Sequence, residues 1–420
     1  MSSDVLVLGA GIVGVSTALH LQARGRSVVL IDRGRPGEGT SHGNAGLIER
    51  SSVVPYAFPR SLTTLMRYAL NRSSDVRYDL RDFLHFAPFL FRYWRHSTPH
   101  NLEIATRAML PLIEASVREH DALIEAAGAQ DLVRAEGWIA AFRTPGRFEA
   151  AVAEVEALAH HGLRSAILDQ SAFAALEPSV RTGANGISGA VHWLDPKTVT
   201  DPGELTKRYA RLFEKRGGQI VVADAASLRQ VGSTWAVATP DGEITAPDIV
   251  VALGPQSDLI FRRFGYAIPL GIKRGYHKHY TSPAGTALHH SVVDEEAGYV
   301  LAPMRQGVRL TTGIEFASPD RLPGAQQIDR AERCARQLLD LGKEVEATPW
   351  LGLRPCLPDM RPVIGGAHRH KGLWFNFGHA HHGLTLGPAS GRLLAELLTE
   401  ERPFVDPTPF RSGRFHQVFR

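Results

Sequence analysis

The feature that most constrains this chain is its start: the unbroken apolar run Val5-Leu6-Val7-Leu8, the turn Gly9-Ala10-Gly11-Ile12-Val13-Gly14, and a helix-periodic stretch to Leu21. Four apolar residues without alternation read as a strand buried on both faces, which belongs in a parallel sheet covered by helices. Gly25 is placed to cap the helix in a left-handed conformation, and Ser27 to Ile31 reads as a second strand finishing at Asp32. Such a β-α-β unit suits a dinucleotide for a local reason. Glycines let the backbone approach a pyrophosphate, the helix N-terminus offers free N–H groups and a positive dipole end, and an acid roughly 20 residues on meets a ribose hydroxyl pair. Gly9, Gly11, Ile12, Val13, Gly14, Asp32 and Arg33 are therefore expected to line a dinucleotide site. A tight turn without ligand is the competing reading. Asp32 disfavours a 2′-phosphate, which puts FAD or NAD ahead of NADP.

The fold class that follows is α/β, a Rossmann-type cofactor domain with a second α+β domain built on an antiparallel sheet. At 420 residues the chain exceeds the usual limit for one core. The cofactor domain is expected to be discontinuous, over 1–58, 185–262 and 345–420, with the second domain over 59–184 and 263–344. Asp201-Pro202-Gly203-Glu204 is a helix start, with Asp201 as N-cap, Pro202 at the first helical position and Glu204 able to complete a capping box. Gln219 to Val222 and Ile249 to Leu253 then read as strands, and their ends place Val222, Ala252 and Gly254 near the cofactor crevice. Asp241-Gly242 marks a hairpin, and residues 268 to 314 read as antiparallel strands. The loop Gly37 to Gly46, rich in small residues, can lie flat against a ring system through Thr40, Ser41, His42, Asn44, Ala45 and Gly46, or serve as an ordinary surface connection.

Charge and cysteine content narrow the partners. With 47 basic and 43 acidic residues the net charge is +4, too mild and dispersed for a nucleic-acid binder. Cys334 and Cys356 are the two cysteines, so a reducing, cytoplasmic compartment fits better than a disulfide framework. The start is not read as a signal peptide, because Asp4 replaces a basic region, and no apolar stretch is long enough to span a bilayer. Arg60, Arg67, Arg72, Arg77, Arg81, Arg92 and Arg95 interleave with aromatic residues between 58 and 96. That pattern fits a helical region with an aromatic core, or a face that touches a membrane surface or partner.

Near the other end stand Gly352-Leu353-Arg354-Pro355 and the run Gly378-His379-Ala380-His381-His382-Gly383-Leu384-Thr385-Leu386-Gly387-Pro388, between a strand Leu373 to Phe377 and a helix expected from about Pro388 to Leu398. Two cofactor-grade segments at opposite ends point to one cofactor long enough to need both. With Thr40 to Gly46, Asp201-Pro202, Ala252 to Pro255, Pro358-Asp359 and Gly383-Leu384-Thr385, they carry a resemblance over nearly the whole chain. The chain resembles the FAD-dependent D-amino-acid oxidase and dehydrogenase family, and within it looks closest to bacterial D-amino-acid dehydrogenases, with the hydroxy-D-proline branch also in view.

That resemblance implies FAD as cofactor and oxidative deamination of a D-amino acid, with hydride passing from Cα to flavin N5 and the imino acid hydrolysing to a 2-oxo acid. Arg354 would fork onto the substrate carboxylate, Tyr276 and Tyr299 would donate phenolic protons to it, and His379 would stand in the active site. Gly378, Gly383, Leu384 and Thr385 would present N–H groups and a helix terminus to the flavin pyrimidine edge. No metal is expected, because the histidine spacing matches no recognised zinc motif. The acceptor would be a quinone or redox carrier, with peripheral contact at the inner membrane, or oxygen. The alternatives are D-proline or 4-hydroxy-D-proline giving a cyclic imine, a sarcosine- or glycine-oxidase-like amine oxidation, and a flavin-fold subunit that only binds a partner.

Overall fold

The structure, a computed structural model, describes residues 2–71 and 73–415, so Arg72 of the basic run lies outside it. The apolar starts form neighbouring strands: Val5–Leu8 is buried throughout and pairs in parallel with Val28–Asp32 on one side and Asp248–Val251 on the other. The sheet continues outward to Gln219–Val222 beyond Val28–Asp32, and to Leu373–Phe377 and Val363–Gly366 beyond Asp248–Val251. All its pairings are parallel except the last. The strand order therefore reverses beside Val5–Leu8, and such a reversal opens a crevice at the strands' carboxyl ends.

A second, ten-stranded sheet stands beside it, and the predicted strands 268–314 form its centre. Gly271–Tyr280, Gly307–Thr312, Tyr299–Met304 and Ser291–Asp294 pair antiparallel in that order. Two pairings are parallel, Trp138–Phe142 with Ser291–Asp294 and Val76–Tyr78 with Ile314–Phe316, so the sheet is mixed rather than purely antiparallel. The strands also divide differently from the expected segments. Gly189–Trp193 pairs with Trp138–Phe142, and Trp350–Cys356 pairs with Gly271–Tyr280, so parts of 185–262 and 345–420 belong to the second sheet. Helix Pro99–Ala126 crosses the other way, burying Met109, Leu112 and Ile113 in the core of the first sheet. In the 58–96 region, Phe86, Phe89 and Tyr93 form a buried aromatic cluster with Phe316, while helix Leu62–Ala69 buries no residue.

Two helices bring the chain's ends together. Ile12–Gln22 follows the glycine turn, and Gly383–Leu398 follows the histidine run, one turn earlier than the proline pattern predicts. Pro388 lies inside that helix because a partner elsewhere satisfies the carbonyl it leaves free. Neutral His120, which burial holds down to about 4, places Nε2 2.7 Å from the Leu384 carbonyl oxygen. The two helices then approach at backbone distance: a Cβ on Gly387 would lie 3.1 Å from Ile12 Cγ1, and one on Gly391 would lie 2.8 Å from the Thr17 backbone nitrogen. Gly391→Val is therefore expected to overpack this contact and cost about 1–3 kcal/mol, read as a lower Tm together with weaker flavin retention; an unchanged Tm contradicts the tight contact.

Candidate active site

The crevice is one continuous cavity of about 1230 Å³ running from Asp32 and Asp224 at one end to Arg354 and His381 at the other. That exceeds the roughly 300–1,000 Å³ of ordinary small-ligand sites and suits an extended dinucleotide plus a second molecule. At the near end Gly9 has φ +108° and lies so close to Ala252 that a Cβ would stand 2.4 Å from its carbonyl oxygen. The Asp32 carboxylate closes the strand, accepting from the backbone N–H groups of Ala10 at 2.7 Å and Gly34 at 3.0 Å. The helix start at Gly11 has no side-chain cap of its own, and Ser41 Oγ reaches across to accept the Ile12 N–H at 3.0 Å.

Loop Thr40–Gly46 ties this end to both carboxy-terminal segments. Thr40 Oγ1 donates to the Leu353 carbonyl at 3.2 Å, and Asn44 Nδ2 donates to the His381 carbonyl at 3.4 Å. From beneath, buried Arg309 donates to the carbonyls of His42 and Asn44, while its Nε donates to His279 Nε2 and His279 Nδ1 is bonded to Glu346. The loop is thus a fixed wall and not a surface connection.

Of the expected cofactor residues, Gly9, Gly11, Ile12, Val13, Asp32, Arg33, Thr40, Ser41, Asn44, Ala45, Ala252, Gly254, Gly383 and Leu384 line the cavity, and six do not. The His42 ring turns away to pack on His277 and Trp350, each with centroids 5.9 Å away, and contributes only its carbonyl. Val222 ends an edge strand and is 58% exposed; Asp224, Ala225 and Ala226 line the cavity there instead. Gly14, Gly46 and Gly378 are packing glycines, whose added Cβ would strike Gly9, Val199 and Leu357 respectively. Thr385 acts through its hydroxyl, which donates to the Leu47 carbonyl and accepts the Glu49 N–H, fixing the helix start against the loop.

Arg354 enters the cavity from strand Trp350–Cys356, which pairs along its length with Gly271–Tyr280 and on its other edge meets the chain in a bridge between Cys356 and His379, so it tolerates Pro355. Its guanidinium lies over Gly275, where a Cβ would come within 2.6 Å of Nη2. It donates to the Gly313 carbonyl at 2.7 Å and the Thr312 carbonyl at 3.1 Å, which holds the plane and leaves the remaining N–H donors for the cavity. Among the described residues no carboxylate pairs with it, so it is not a structural salt bridge here. The tyrosines are engaged elsewhere. Tyr276 Oη donates to Glu315 at 2.6 Å and accepts from Arg274 at 3.0 Å, and Tyr299 Oη accepts from Arg143 at 3.2 Å. Both line the cavity as wall without offering a free hydroxyl to Arg354.

The far end also holds residues that sequence patterning passed over. Tyr56 stands in the cavity with its ring edge-on to His381, centroids 4.9 Å apart. Burial, His382 and the nearby cations Arg354 and Lys273 hold His381 well below the usual imidazole range, and burial holds His379 down to about 3, so both rings are neutral. The side chains of Glu49, His381 and His382 bring one ligand-type atom each within 4.8 Å of one another. His277 and His279 take no part in that group, since His277 stacks on Trp350 and His279 serves Arg309. Burial lifts the Glu49 carboxyl to about 7. Glu49, Tyr56 and Lys273 sit in irregular or strand sequence with no motif, and only long-range pairing brings them to the site.

FAD fits this cavity on the structure's own terms. The glycine cradle, the starts of two helices and Asn376, His379 and His381 border one elongated space, and Asn376 Oδ1, His379 Nε2 and His381 Nε2 are buried polar atoms without a partner among the described residues. Comparison with known proteins agrees. Residues 4–397 match the family described as FAD dependent oxidoreductase. The chain is 29% identical over 410 residues to D-amino acid dehydrogenase 2 of Mesorhizobium japonicum, covering 96% of this chain and 98% of that one. It is 30% identical over 427 residues to D-amino acid dehydrogenase of Granulibacter bethesdensis, covering 98% and 99%. Among solved structures, glycine oxidase from Geobacillus kaustophilus superimposes with a TM-score of 0.76 at 20% identity, over 98% of this chain and 99% of that one. The fold, the glycine cradle and the nearly full-length match together place this chain in the FAD-dependent oxidoreductase family.

Proposed function

We propose that this chain is a D-amino-acid dehydrogenase in which Arg354 anchors the substrate carboxylate. The observation that carries the reading is a cavity-facing guanidinium, held flat by two backbone carbonyls and lacking a carboxylate partner among the described residues, at the end of an FAD-sized crevice. The names of the relatives support the D configuration. FAD, when bound along Gly9–Val13, Asp32, Thr40–Ala45 and the start of helix Gly383–Leu398, supplies the acceptor for the Cα hydride. The protein's part is orientation: fixing the carboxylate sets where Cα and the amine lie, and the apolar walls exclude water from the reacting face. Tyr276 and Tyr299 act as supports for the Thr312 segment that holds Arg354. The imino acid then hydrolyses to a 2-oxo acid in water.

Arg354→Met is expected to raise the KM for a D-amino acid about 100-fold, the loss of two charge-assisted hydrogen bonds, with the visible spectrum of bound flavin retained. Unchanged kinetics would remove Arg354 from the site. A panel containing D-proline, 4-hydroxy-D-proline, sarcosine and glycine in the same anaerobic bleaching assay separates the cyclic and achiral amines from ordinary D-amino acids.

Carboxyls raised by burial give a second, pH-dependent expectation. Glu49 and Glu295 both line the cavity with values lifted from 4.5 to about 7. Between those pH values the folded chain keeps protons that the unfolded chain has released. Stability is therefore lost as pH rises through that window. Glu49→Gln is expected to flatten the fall of Tm between about pH 5 and pH 7; an identical slope in the variant refutes the assignment.

For the acceptor, we propose a quinone or redox carrier reached at the cytoplasmic face of the inner membrane. Among the described residues no helix is long and apolar enough to cross a membrane. Leu62, Met66, Leu70 and Leu84 are all more than 60% exposed in the region rich in arginine, the composition of a peripheral contact with an anionic surface. The holoenzyme should co-sediment with vesicles containing anionic lipid and do so less with Leu84→Glu; equal partitioning of both proteins counts against membrane contact.

A further inference from the structure

Arg354 has a second cation beside it. Lys273 lies directly opposite it across the antiparallel pair Gly271–Tyr280 and Trp350–Cys356. Residues opposed in this way emerge on the same face with Cβ atoms about 4.5–5.5 Å apart, and both side chains line the cavity. Neither has a carboxylate within ion-pair distance among the described residues. Lys273 Nζ instead stands 4.0 Å from the centroid of the Tyr93 ring, a contact that steadies a cation without neutralising it. Cys356, two residues from Arg354 on the same strand, has its thiol pushed up by burial and so adds no negative charge. Glu49 is turned to the His381 and His382 side. Two like charges opposed on one sheet face destabilise it, and half-buried cations without counter-ions are costly. The arrangement makes sense when a ligand brings the missing negative charge.

One α-carboxylate needs one guanidinium fork, so the second cation calls for a second anionic group. Its location follows from the cavity's shape. A second, smaller cavity of about 50 Å³ shares Lys273, Tyr93, Tyr56, His379 and His381 with the large one, and Arg354 does not line it. Lys273 thus borders both cavities and Arg354 only the large one, which makes Lys273 the cation available to a substrate's side chain once its carboxylate is on Arg354. By this measure a cavity of about 10–15 Å³ holds one water, so about 50 Å³ admits a compact group such as a carboxylate.

We propose that Lys273 is a specificity residue that receives a second carboxylate, so that the favoured substrates are short acidic D-amino acids of the aspartate and glutamate type. The inference rests on Arg354 as the α-carboxylate site. The test uses the holoenzyme, with stopped-flow anaerobic bleaching by D-aspartate, D-glutamate and D-alanine, on the wild type, Lys273→Met and Lys273→Arg. The wild type should prefer the acidic pair. Lys273→Met should reduce the ratio of kcat/KM for D-aspartate over D-alanine about 10- to 100-fold, the range of one charge-assisted hydrogen bond, and Lys273→Arg should restore most of it. A wild type that favours D-alanine, or a Lys273→Met ratio equal to the wild type's, overturns the proposal; the second result means both cations grip the same carboxylate.

A binding arm keeps this separate from the proposed reaction. Succinate should perturb the bound-flavin spectrum at lower concentration than propionate, and Lys273→Met should erase that difference. If no D-amino acid bleaches the flavin but succinate discrimination depends on Lys273, the D-amino-acid reading fails and the two-cation site stands. If D-amino acids bleach the flavin but succinate and propionate bind alike, the reverse holds.

Discussion

The close contact between the first helix and the last organises everything else in this protein. Gly387 and Gly391, one turn apart, present bare backbone to Ile12 and Thr17, so the two helices run side by side with their N-termini opening on the same cavity. Each terminus brings N–H groups that have no partner within the helix and a positive dipole end. One suits the pyrophosphate of a dinucleotide and the other suits the negative charge that gathers on a reduced ring. Buried Asn376 adds a cross-tie, donating from Nδ2 to Thr17 Oγ1 at 3.0 Å. Two separate chemical requirements are thus met by one packing contact between residues nearly four hundred positions apart.

The reacting end depends on a different device, a strand that leaves the carboxy-terminal part of the chain to join the second sheet. Trp350–Cys356 pairs with Gly271–Tyr280, and this carries Arg354 over Gly275 and beside Lys273. The loop Thr40–Gly46 is clamped between that strand, the histidine turn and Arg309. Both sheets therefore share the walls of the site, and a shift of either would move the guanidinium relative to the glycine cradle. The ionisable groups around it follow the same logic. Histidines there are buried and neutral, carboxyls are raised, and the two cations carry the site's unbalanced charge, which favours an anionic ligand.

Much of the nucleotide half was legible because its physics is local. The apolar run, the glycine turn and Asp32 are contiguous, and each residue's role follows from its neighbours in sequence. Arg354 was singled out only through the family resemblance, because nothing within a few residues of it distinguishes it from other arginines. His42 and Val222 were misplaced for a related reason: a loop or strand end can be located from sequence, but which way a side chain turns depends on Trp350 or on the sheet edge. The start of the last helix was read too late because Pro388 normally marks a first turn, and the carbonyl it frees is met by His120, more than two hundred residues earlier. Lys273 and Glu49 carry no local signal at all. Their significance lies in register and burial, which pairing across the sheet creates.

The proposed site needs the glycine cradle, the last helix and Arg354 to act on one bound flavin and one amino-acid carboxylate. A crystal structure of the holoenzyme with a non-reacting carboxylate ligand tests it most directly. The isoalloxazine is expected between loop Thr40–Ala45 and the amides of Gly383 and Leu384, with the ligand carboxylate on the Arg354 guanidinium. A carboxylate bound elsewhere, or a flavin whose ring lies away from Arg354, would contradict it.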